Sequence, residues 1–319
     1  MRIPTDAIIV LCVVLGVVLT ASIILFGCSL RKAAKMVGLR FNPVPGIFER
    51  KWAVRISLAI LLTYLLALLY AFLIEPDWVE LTKTEIPVRQ AVLGQERFRI
   101  VHLSDLHLKE FGRRERRVVE LVQGAKPDLI VITGDYGHTP KGIEVLLELG
   151  RFLEAPYGKY GVRGNDDYQS PTRQILESAG IKLLENETKL IERYGRRLCL
   201  VGQPCESKVS LKAILREQQE DDYTIFLHHM PAGLDELGRL DPSEHVDLFL
   251  CGHTHGGQVC VPFWGAVVTE SKYHKKYERG LYCVNNVRMY VNRGLGVSVL
   301  PIRFLARPEV AVIDLVVRR

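Results

Sequence analysis

The chain has 319 residues, enough for one large domain and an additional segment, and 48% of its residues are hydrophobic. Its net charge is +6, of which eight basic and three acidic residues up to residue 75 give +5, leaving +1 for the remainder. The positive charge therefore belongs to the N-terminal part, and the broad basic surface of a nucleic-acid-binding protein is excluded.

Two long apolar runs begin the chain. Residues 7–30 and 56–74 contain no charged side chain, and each run is long enough to cross the hydrocarbon core as a helix. We therefore predict a membrane hairpin within residues 1–75, with helices at about 7–30 and 55–74. The bilayer is the first expected partner of this protein, and nucleic acid is not expected to be one.

The loop between the two runs carries most of the N-terminal basic residues. Because short basic loops stay in the cytoplasm, this loop predicts that the remainder of the chain lies outside it. Cysteine usage favours the other side: five isolated cysteines follow residue 75 without a CxxC pair, and isolated thiols are easier to keep in a reducing compartment. The side of the membrane stays open at this point. The basic residues of the loop are Arg31, Lys32, Lys35, Arg40, Arg50, Lys51 and Arg55.

After the hairpin, residues 76–97 are predicted to form a linker and an initial strand. From residue 98 onward, strand-like runs alternate with helical stretches, which predicts an α/β domain over 98–319 with helices flanking sheets. Helices are expected near 113–124 and 142–153, from Ser170 and Pro171 onward, and at 208–219 and 232–239. Strands are expected at RIVHL, DLIVIT, YGVRG, IKLLE, TKLIERY, RLCLVG, 223–228, 247–251 and VAVIDLVV.

Five short polar motifs each follow one of the strand-like runs. They are DLH at 105–107, GD at 134–135, GNDD at 164–167, HHMP at 228–231 and GHTH at 252–255. Side chains at the carboxyl ends of neighbouring strands meet at one edge of a sheet. Asp, Asn and His supply the oxygen and nitrogen donors that divalent metals bind. The pattern therefore predicts a two-metal hydrolytic centre.

The order and spacing of these motifs resemble the calcineurin-like metallophosphoesterases over residues 98–316. The closest resemblance is to their bacterial membrane-associated branch, through GHTHGGQ at 252–258 and the late segments RGLG, LPIRF and RPE. The resemblance implies a four-layer α/β/β/α sandwich behind the membrane hairpin, and an anchor in the bacterial inner membrane. It also implies two divalent ions, Mn²⁺ first, with Fe, Zn or Ni as alternatives.

The family pattern assigns a role to each motif. One metal would be held by Asp105, His107 and His255, the other by Asn165, His229 and His253, and Asp135 would bridge the two. Two such ions lower the pKa of a bound water and neutralise phosphoryl oxygens during attack. In the histidine pair, His229 fits the family's His-x-Pro pattern. His228, His102, His138 and His274 are expected to be structural.

Two positions depart from the family pattern. Where relatives carry a proton-donating histidine, this chain has Asp166, and His138 replaces a second carboxylate. Asp166 and Asp167 are the candidate catalytic residues beyond the ligands. Since Asp166 is a poor proton donor at neutral pH, the site is expected to prefer a leaving group that needs no protonation, such as a phosphate.

This departure favours a pyrophosphate bond as the one that is cleaved. In this respect the chain resembles the lipid A pathway hydrolases of UDP-2,3-diacylglucosamine, which belong to the same superfamily, and the resemblance implies a lipid-linked pyrophosphate as the leading substrate. The alternatives are an extracytoplasmic phosphomonoesterase or phosphodiesterase acting on phospholipid or envelope phosphates, and a membrane-tethered metal-binding scaffold without turnover. A UDP-sugar substrate requires a cytoplasmic site, which the basic loop opposes. Candidate residues for binding headgroups or a diphosphate are Arg113, Arg114, Lys272 and Lys275.

Overall fold

The computed structural model describes residues 5–38, 51–137, 139–167, 170–241 and 244–317. His138 and residues 39–50 of the basic loop therefore lie outside the described residues. The described chain forms two compact units, Met1–Ile74 and Glu75–Arg319. The predicted division at residues 75 and 97 stays a prediction, since compactness alone does not define functional domains.

The first unit consists of two helices, α1 (Thr5–Met36) and α2 (Lys51–Leu73), which contact one another. Small side chains are buried in this unit, among them Ala21, Ala53 and Ser57, and small residues let helices approach closely. Among the described residues, one helical segment is long and apolar enough to cross a membrane: Lys51–Asp77, with a mean hydropathy of 2.4. The apolar stretch described in α1, Gly16–Ser29, is shorter than a span requires. A hairpin with two membrane-spanning helices therefore stays a prediction.

The second unit contains two six-stranded sheets. The first has the order β1-β14-β2-β3-β4-β5, in which only the pairing of β14 with β2 is antiparallel. The strand predicted within residues 76–97 is β1, which pairs in parallel with β14 over its full length. The strands of this sheet are β1 (Glu80–Val88), β2 (Arg97–Leu103), β3 (Leu129–Ile132), β4 (Lys159–Gly161), β5 (Ile181–Leu183) and β14 (Glu309–Val317).

The second sheet has the order β12-β13-β9-β8-β7-β6, with antiparallel hairpins at its two edges and parallel strands at its centre. A short hairpin, β10 (Cys260–Val261) and β11 (Gly265–Ala266), stands apart from both sheets. The strands of the second sheet are β6 (Glu187–Arg193), β7 (Arg196–Gly202), β8 (Tyr223–Leu227), β9 (Leu248–Cys251), β12 (Gly280–Val284) and β13 (Val287–Val291).

Helices cover the outer faces of the two sheets. One apolar cluster joins the first sheet to α3 (Arg113–Ala125), α4 (Pro140–Phe152) and α5 (Arg173–Ser178). A second cluster, which includes Ile100, Val131, Leu200 and Leu250, lies between the sheets, and a third joins the second sheet to α6 (Leu211–Ile214). The result is a mixed α/β sandwich, as the alternating pattern predicted. Fully buried strands explain why their sequences are continuous apolar runs.

Three predicted helices differ from those observed. The helix expected from Ser170 and Pro171 begins at Arg173, because the Thr172 hydroxyl caps it by accepting a bond from the Ile175 N–H. The helix predicted at 208–219 is α6 followed by a 3₁₀ turn, Leu215–Glu217. The helix predicted at 232–239 is a 3₁₀ turn, Pro231–Gly233, and the single turn of α7 (Leu234–Leu237).

Candidate metal centre

The seven predicted ligands follow five strands whose carboxyl ends meet at one edge of the sandwich. Asp105 and His107 follow β2, Asp135 follows β3, and Asn165 follows β4. In the second sheet, His229 follows β8, and His253 and His255 follow β9. The two sheets thus contribute donors from opposite sides of one site, as expected for parallel strands.

The aspartates and imidazoles come within direct reach of one another. Asp105, His107 and His255, the set predicted for one metal, have ligand atoms that lie within 4.8 Å of one another. Asp135 and His229 form a second such group, again with Asp105, and the His229 Nε2 to Asp135 Oδ2 distance is 3.3 Å. The Asp105 and Asp135 carboxylates therefore both adjoin His229, so each lies between the two predicted metal positions.

His253 and Asn165 are the remaining two predicted donors. The His253 Nδ1 is 3.1 Å from the His229 Nε2. The Asn165 amide donates to the Asp166 carboxylate at 2.9 Å, and its buried Oδ1 has no partner within the described part of the chain. The His107 Nε2 is likewise buried without a hydrogen bond to any described residue. Buried polar atoms are normally paired, so two orphaned atoms in one donor cluster fit a bound cation.

Backbone carbonyls orient two of the imidazoles. The His229 Nδ1 lies 2.6 Å from the Thr133 carbonyl, and the His253 Nε2 lies 3.0 Å from the Glu270 carbonyl. Because a carbonyl only accepts, these ring nitrogens donate, and the opposite nitrogen of each ring faces the cluster. Such bonds are typical of metal-binding histidines. Sequence reasoning did not identify Thr133 or Glu270, because a main-chain carbonyl leaves no side-chain signal.

The ligand loops adopt strained backbone conformations. Asp105, His107, Asp135, His253 and His255 all have positive φ, between +38° and +70°. Non-glycine residues rarely adopt this region, and such strain concentrates at functional sites. A Cβ on the neighbouring glycine of the last motif, at position 252, would lie 2.4 Å from the Asp105 Oδ2. That glycine is therefore required by the close approach of the two loops.

Charge complementarity holds the site together. Burial lowers the pKa of His229. The charge and hydrogen bond of Asp135, together with the charge of Asp105, outweigh this effect and raise the pKa to about 10. The pKa of Asp135 is lowered: burial opposes this shift, and the charge and hydrogen bond of His229 outweigh it. Burial lowers the pKa of His255 to about 3. Both carboxylates are thus ionised, and the site already favours a positive charge between them.

Asp166 and Asp167, the candidate catalytic residues, have different surroundings. The Asp166 carboxylate is 44% exposed, lies 3.8 Å from the His107 Nδ1, and forms a third possible metal-binding group with His107 and Asp135. The sequence analysis gave Asp166 no ligand role. The Asp167 carboxylate is buried and accepts from the N–H groups of Asp135, Tyr136 and Gly164. These contacts are those of a residue that joins two ligand loops, and its catalytic assignment stays a prediction.

The other histidines lie in structural positions. His228 packs against Phe226 and Phe249, and its Nδ1 contacts the main chain of Met230. His102 is buried with its Nε2 2.9 Å from the Thr133 hydroxyl. His274 adjoins the Thr269 hydroxyl through its carbonyl. His229 therefore enters the cluster, whereas its neighbour in sequence faces an apolar layer.

Of the four candidate substrate-binding residues, Arg113 and Lys272 are exposed, Lys275 is half-buried, and Arg114 is mostly buried. Arg114 pairs with Glu115 and donates to the Leu295 carbonyl, and Lys272 pairs with Asp235. Lys275 lies 4.4 Å from the centre of the Trp264 ring. Their role in substrate binding stays a prediction.

A buried arginine supports the site from behind. Arg303 has no exposed surface and donates to the carbonyls of Gly294, Gly296, Ala306 and His255. Burial lowers its pKa to about 9. The only sequence signal for this role is its place in the LPIRF segment, between apolar neighbours.

Comparisons with known proteins agree with the geometry. The family described as calcineurin-like phosphoesterase matches residues 98–257. Metallophosphoesterase YkuE of Bacillus subtilis (strain 168) is 32% identical over 263 residues, which cover 77% of this chain and 88% of YkuE. Phosphodiesterase YaeI of Escherichia coli (strain K12) is 30% identical over 267 residues, 77% of this chain and 92% of YaeI. A Bos taurus transmembrane protein with metallophosphoesterase domain is 28% identical over 88% of this chain and 67% of its own length.

Proposed function

This chain belongs to the calcineurin-like phosphoesterase family, and from that premise we propose that it is a membrane-anchored phosphodiesterase that works with two divalent ions. The observation that carries the proposal is the convergence of Asp105 and Asp135 on His229 and the neighbouring imidazoles. Two anionic carboxylates between neutral nitrogen donors suit two divalent cations, and the orphaned Asn165 Oδ1 adds an oxygen donor.

The seven predicted ligands would bind two ions. Asp105, His107 and His255 would hold one ion, and Asn165, His229 and His253 the other, with Asp135 between them. The ions would supply a water of lowered pKa and positive charge for the phosphoryl oxygens. The main-chain bonds to His229 and His253 would hold the opposite nitrogen of each ring toward the ion. Mn²⁺ is the proposed ion, with Fe, Zn and Ni as alternatives.

Asp166 supports a diester rather than a monoester. A phosphate monoester carries about −1.5 to −2 charges at neutral pH, whereas a diester carries one. The Asp166 carboxylate lies beside His107 and would repel the more highly charged substrate more strongly. The name of the relative YaeI, a phosphodiesterase, supports the same choice. The membrane anchor is supported by the segment Lys51–Asp77 and by the name of the bovine relative.

A lipid-linked pyrophosphate such as UDP-2,3-diacylglucosamine is the second candidate. Asp166 also favours this substrate, because the leaving group of a pyrophosphate is a phosphate that departs without protonation. None of the three relatives described above is named for such a substrate. The diester therefore stands first.

The test is hydrolysis of bis(p-nitrophenyl) phosphate by the purified full-length protein with Mn²⁺, and metal analysis of the same samples. We expect Asp135→Ala to lose both turnover and metal, because the cations would share one carboxylate fewer. Asp241→Ala, which removes an exposed carboxylate paired with Lys212, is the matched control. A wild-type protein that loads metal but hydrolyses no ester would favour the scaffold instead.

A series of leaving groups separates the two substrate classes. Asp166→His should raise the hydrolysis of alkyl esters, because a general acid contributes roughly 10²–10⁴-fold where the leaving group needs a proton. Aryl esters and pyrophosphates should change little. If rates depend on leaving-group pKa with the same slope in both proteins, Asp166 does not set this preference.

A further inference from the structure

Large apolar side chains are exposed on two loops of the second unit. Phe263, at the tip of the β10–β11 hairpin, is fully exposed, and Val299 is 90% exposed. Trp264, Leu300 and Leu305 are also exposed. We refer to these five residues as the apolar rim. Single exposed apolar residues are common in soluble proteins, but a contiguous group marks an interaction site.

The two loops of the rim are joined by main-chain hydrogen bonds. The Cys260 N–H donates to the Phe304 carbonyl at 2.8 Å, and the Phe304 N–H donates to the Gln258 carbonyl at 2.9 Å. The Gln258 amide also donates to the Leu300 carbonyl. The hairpin and the 298–305 segment are therefore held next to each other through their main chains.

The backbone holds three of these side chains outward at a conformational cost. Phe263, Val299 and Leu305 have φ values of +64°, +49° and +56°. Loop tips with positive φ normally carry Gly, Asn or Asp, and a β-branched residue such as Val is an outlier there. Strain of this kind persists where it serves a function. Exposure of apolar side chains to water is itself unfavourable, so solvation does not offset this backbone strain.

The rim is hydrogen-bonded to the first residue of the second unit, Glu75. The Glu75 carboxylate accepts hydrogen bonds from the N–H groups of Leu305, at 2.8 Å, and Ala306, at 2.5 Å. A peptide bond joins Glu75 to Ile74, and both belong to the apolar segment Lys51–Asp77. Leu305 of the rim is therefore hydrogen-bonded to the residue that follows Ile74 in the sequence.

Tryptophans and cations surround the rim. Lys275 lies over the Trp264 ring at 4.4 Å, and the Arg307 guanidinium stacks on Trp78 at 3.6 Å. Arg279 donates to the Leu305 carbonyl. Tryptophan and basic residues are enriched at the membrane–water boundary, where the ring sits among headgroups and the cation meets anionic lipid.

The same loops contact the candidate metal centre. Arg303, inside the 298–305 segment, donates to the His255 carbonyl at 3.4 Å. The backbone of Gly296, just before that segment, lies so close to His107 that a Cβ there would be 2.5 Å from the His107 Cβ. The segment that carries part of the rim is therefore directly connected to the loops that carry His107 and His255.

We propose that the apolar rim inserts into the headgroup region of the bilayer, and that the metal centre takes its phosphodiester from that lipid surface. The occupant of the rim is thus lipid, with anionic headgroups at Lys275 and Arg307. The proposal rests on the membrane anchorage and diester hydrolysis proposed above. It adds the surface through which the site meets its substrate.

The test uses the fluorescence of Trp264 in the full-length chain. Trp52→Phe and Trp78→Phe leave Trp264 as the sole tryptophan. The protein is reconstituted in vesicles of phosphatidylglycerol and phosphatidylcholine, with or without acyl chains brominated near the headgroup. Since interfacial apolar groups are buried to roughly 5–10 Å, we expect bromine to lower Trp264 emission roughly twofold.

Two pairs of substitutions test whether the quenching of Trp264 depends on the apolar rim. Phe263→Ser with Val299→Ser should restore the emission, because they remove the most exposed side chains of the rim. Phe152→Ser with Val209→Ser is the control pair, since these side chains are similar in kind and 43% and 42% exposed elsewhere. Hydrolysis of bis(p-nitrophenyl) phosphate should be unchanged in both pairs, which also shows that both proteins fold.

The outcomes separate this inference from the proposed function. If the protein floats with vesicles but bromine leaves Trp264 emission unchanged, the rim does not meet lipid, although the anchor stands. If the protein does not float with vesicles, the anchor and the rim both fail. If Trp264 is not quenched and Phe263→Ser with Val299→Ser turns a dimer into a monomer, the rim binds a second copy of the chain.

Discussion

The histidine pair at 228–229 shows how far residue-level reasoning reaches. The His-x-Pro pattern predicts that His229 is the metal ligand of the pair, and the structure places its Nε2 3.3 Å from the Asp135 carboxylate. His228 points to the opposite side, between Phe226 and Phe249. Adjacent residues at a strand end face opposite ways, so only one member of the pair can reach the site. The carbonyl partners of the imidazoles could not be predicted, because they depend on how distant loops fold together.

We expect His229→Ala to abolish metal loading and turnover, because its imidazole lies between both carboxylates. His228→Ala should leave metal content unchanged and lower the free energy of unfolding by roughly 1–3 kcal/mol, the cost of unmaking a buried polar contact. Metal analysis and thermal denaturation of both variants check this. Equal loss of metal in two folded variants would contradict the choice of His229.

Metal loading should release a proton from His229. Its pKa of about 10 means that the imidazole is protonated in the metal-free protein at neutral pH, and a metal binds only the neutral ring. Apparent metal affinity should therefore rise with pH up to about pH 10, because less proton has to be displaced. Calorimetry in two buffers of different ionisation enthalpy should report about one proton released per chain, and His229→Gln should release fewer. Heats that do not depend on the buffer would refute this protonation state.

At the scale of elements, the sequence predicted strands better than helices. Continuous apolar runs such as LIVI of β3 and LFLC of β9 mark buried strands directly. The helix expected at 208–219 contracts to α6 and one 3₁₀ turn, because tertiary contacts override weak periodicity in a short segment. The β10–β11 hairpin was not predicted, since two-residue strands carry no pattern.

The loops after β3 and β4 are joined through Asp167, and Asp167→Ala should separate them. Three buried N–H groups would lose their acceptor, which should lower the free energy of unfolding by roughly 3 kcal/mol or more. Burial and the Asp135 charge raise the pKa of Asp167 to about 7, so the neutral amide of Asp167→Asn should be tolerated better. Denaturation and metal titration of both variants are the measurements. If the Ala variant is as stable as the wild type, the carboxylate does not join the loops.

For the whole molecule, the basic loop and the cysteines indicate opposite sides of the membrane, and the structure weakens the indication from the cysteines. Isolated cysteines indicate a reducing compartment only if their thiols are accessible to oxidants. Cys251 and Cys260 are buried, and burial raises the pKa of both thiols, so little reactive thiolate forms. Burial also raises the pKa of Cys205 to about 12. Cys199 is buried as well, whereas Cys283 is exposed. The indication of a reducing compartment therefore rests mainly on Cys283, and the basic loop becomes the stronger indication.

We therefore predict that the second unit lies outside the cytoplasm. Alkaline phosphatase fused after the C-terminal residue should be active, because that reporter folds only where its disulfides form. Replacing Arg31, Lys32 and Lys35 by Gln should reduce this activity, since fewer positive charges then hold the loop inside. The same substitutions should leave hydrolysis by the purified protein unchanged. A silent alkaline phosphatase, together with an active cytoplasmic reporter at the same position, would place the metal centre inside. In that case, the UDP-linked lipid would replace envelope diesters as the leading substrate.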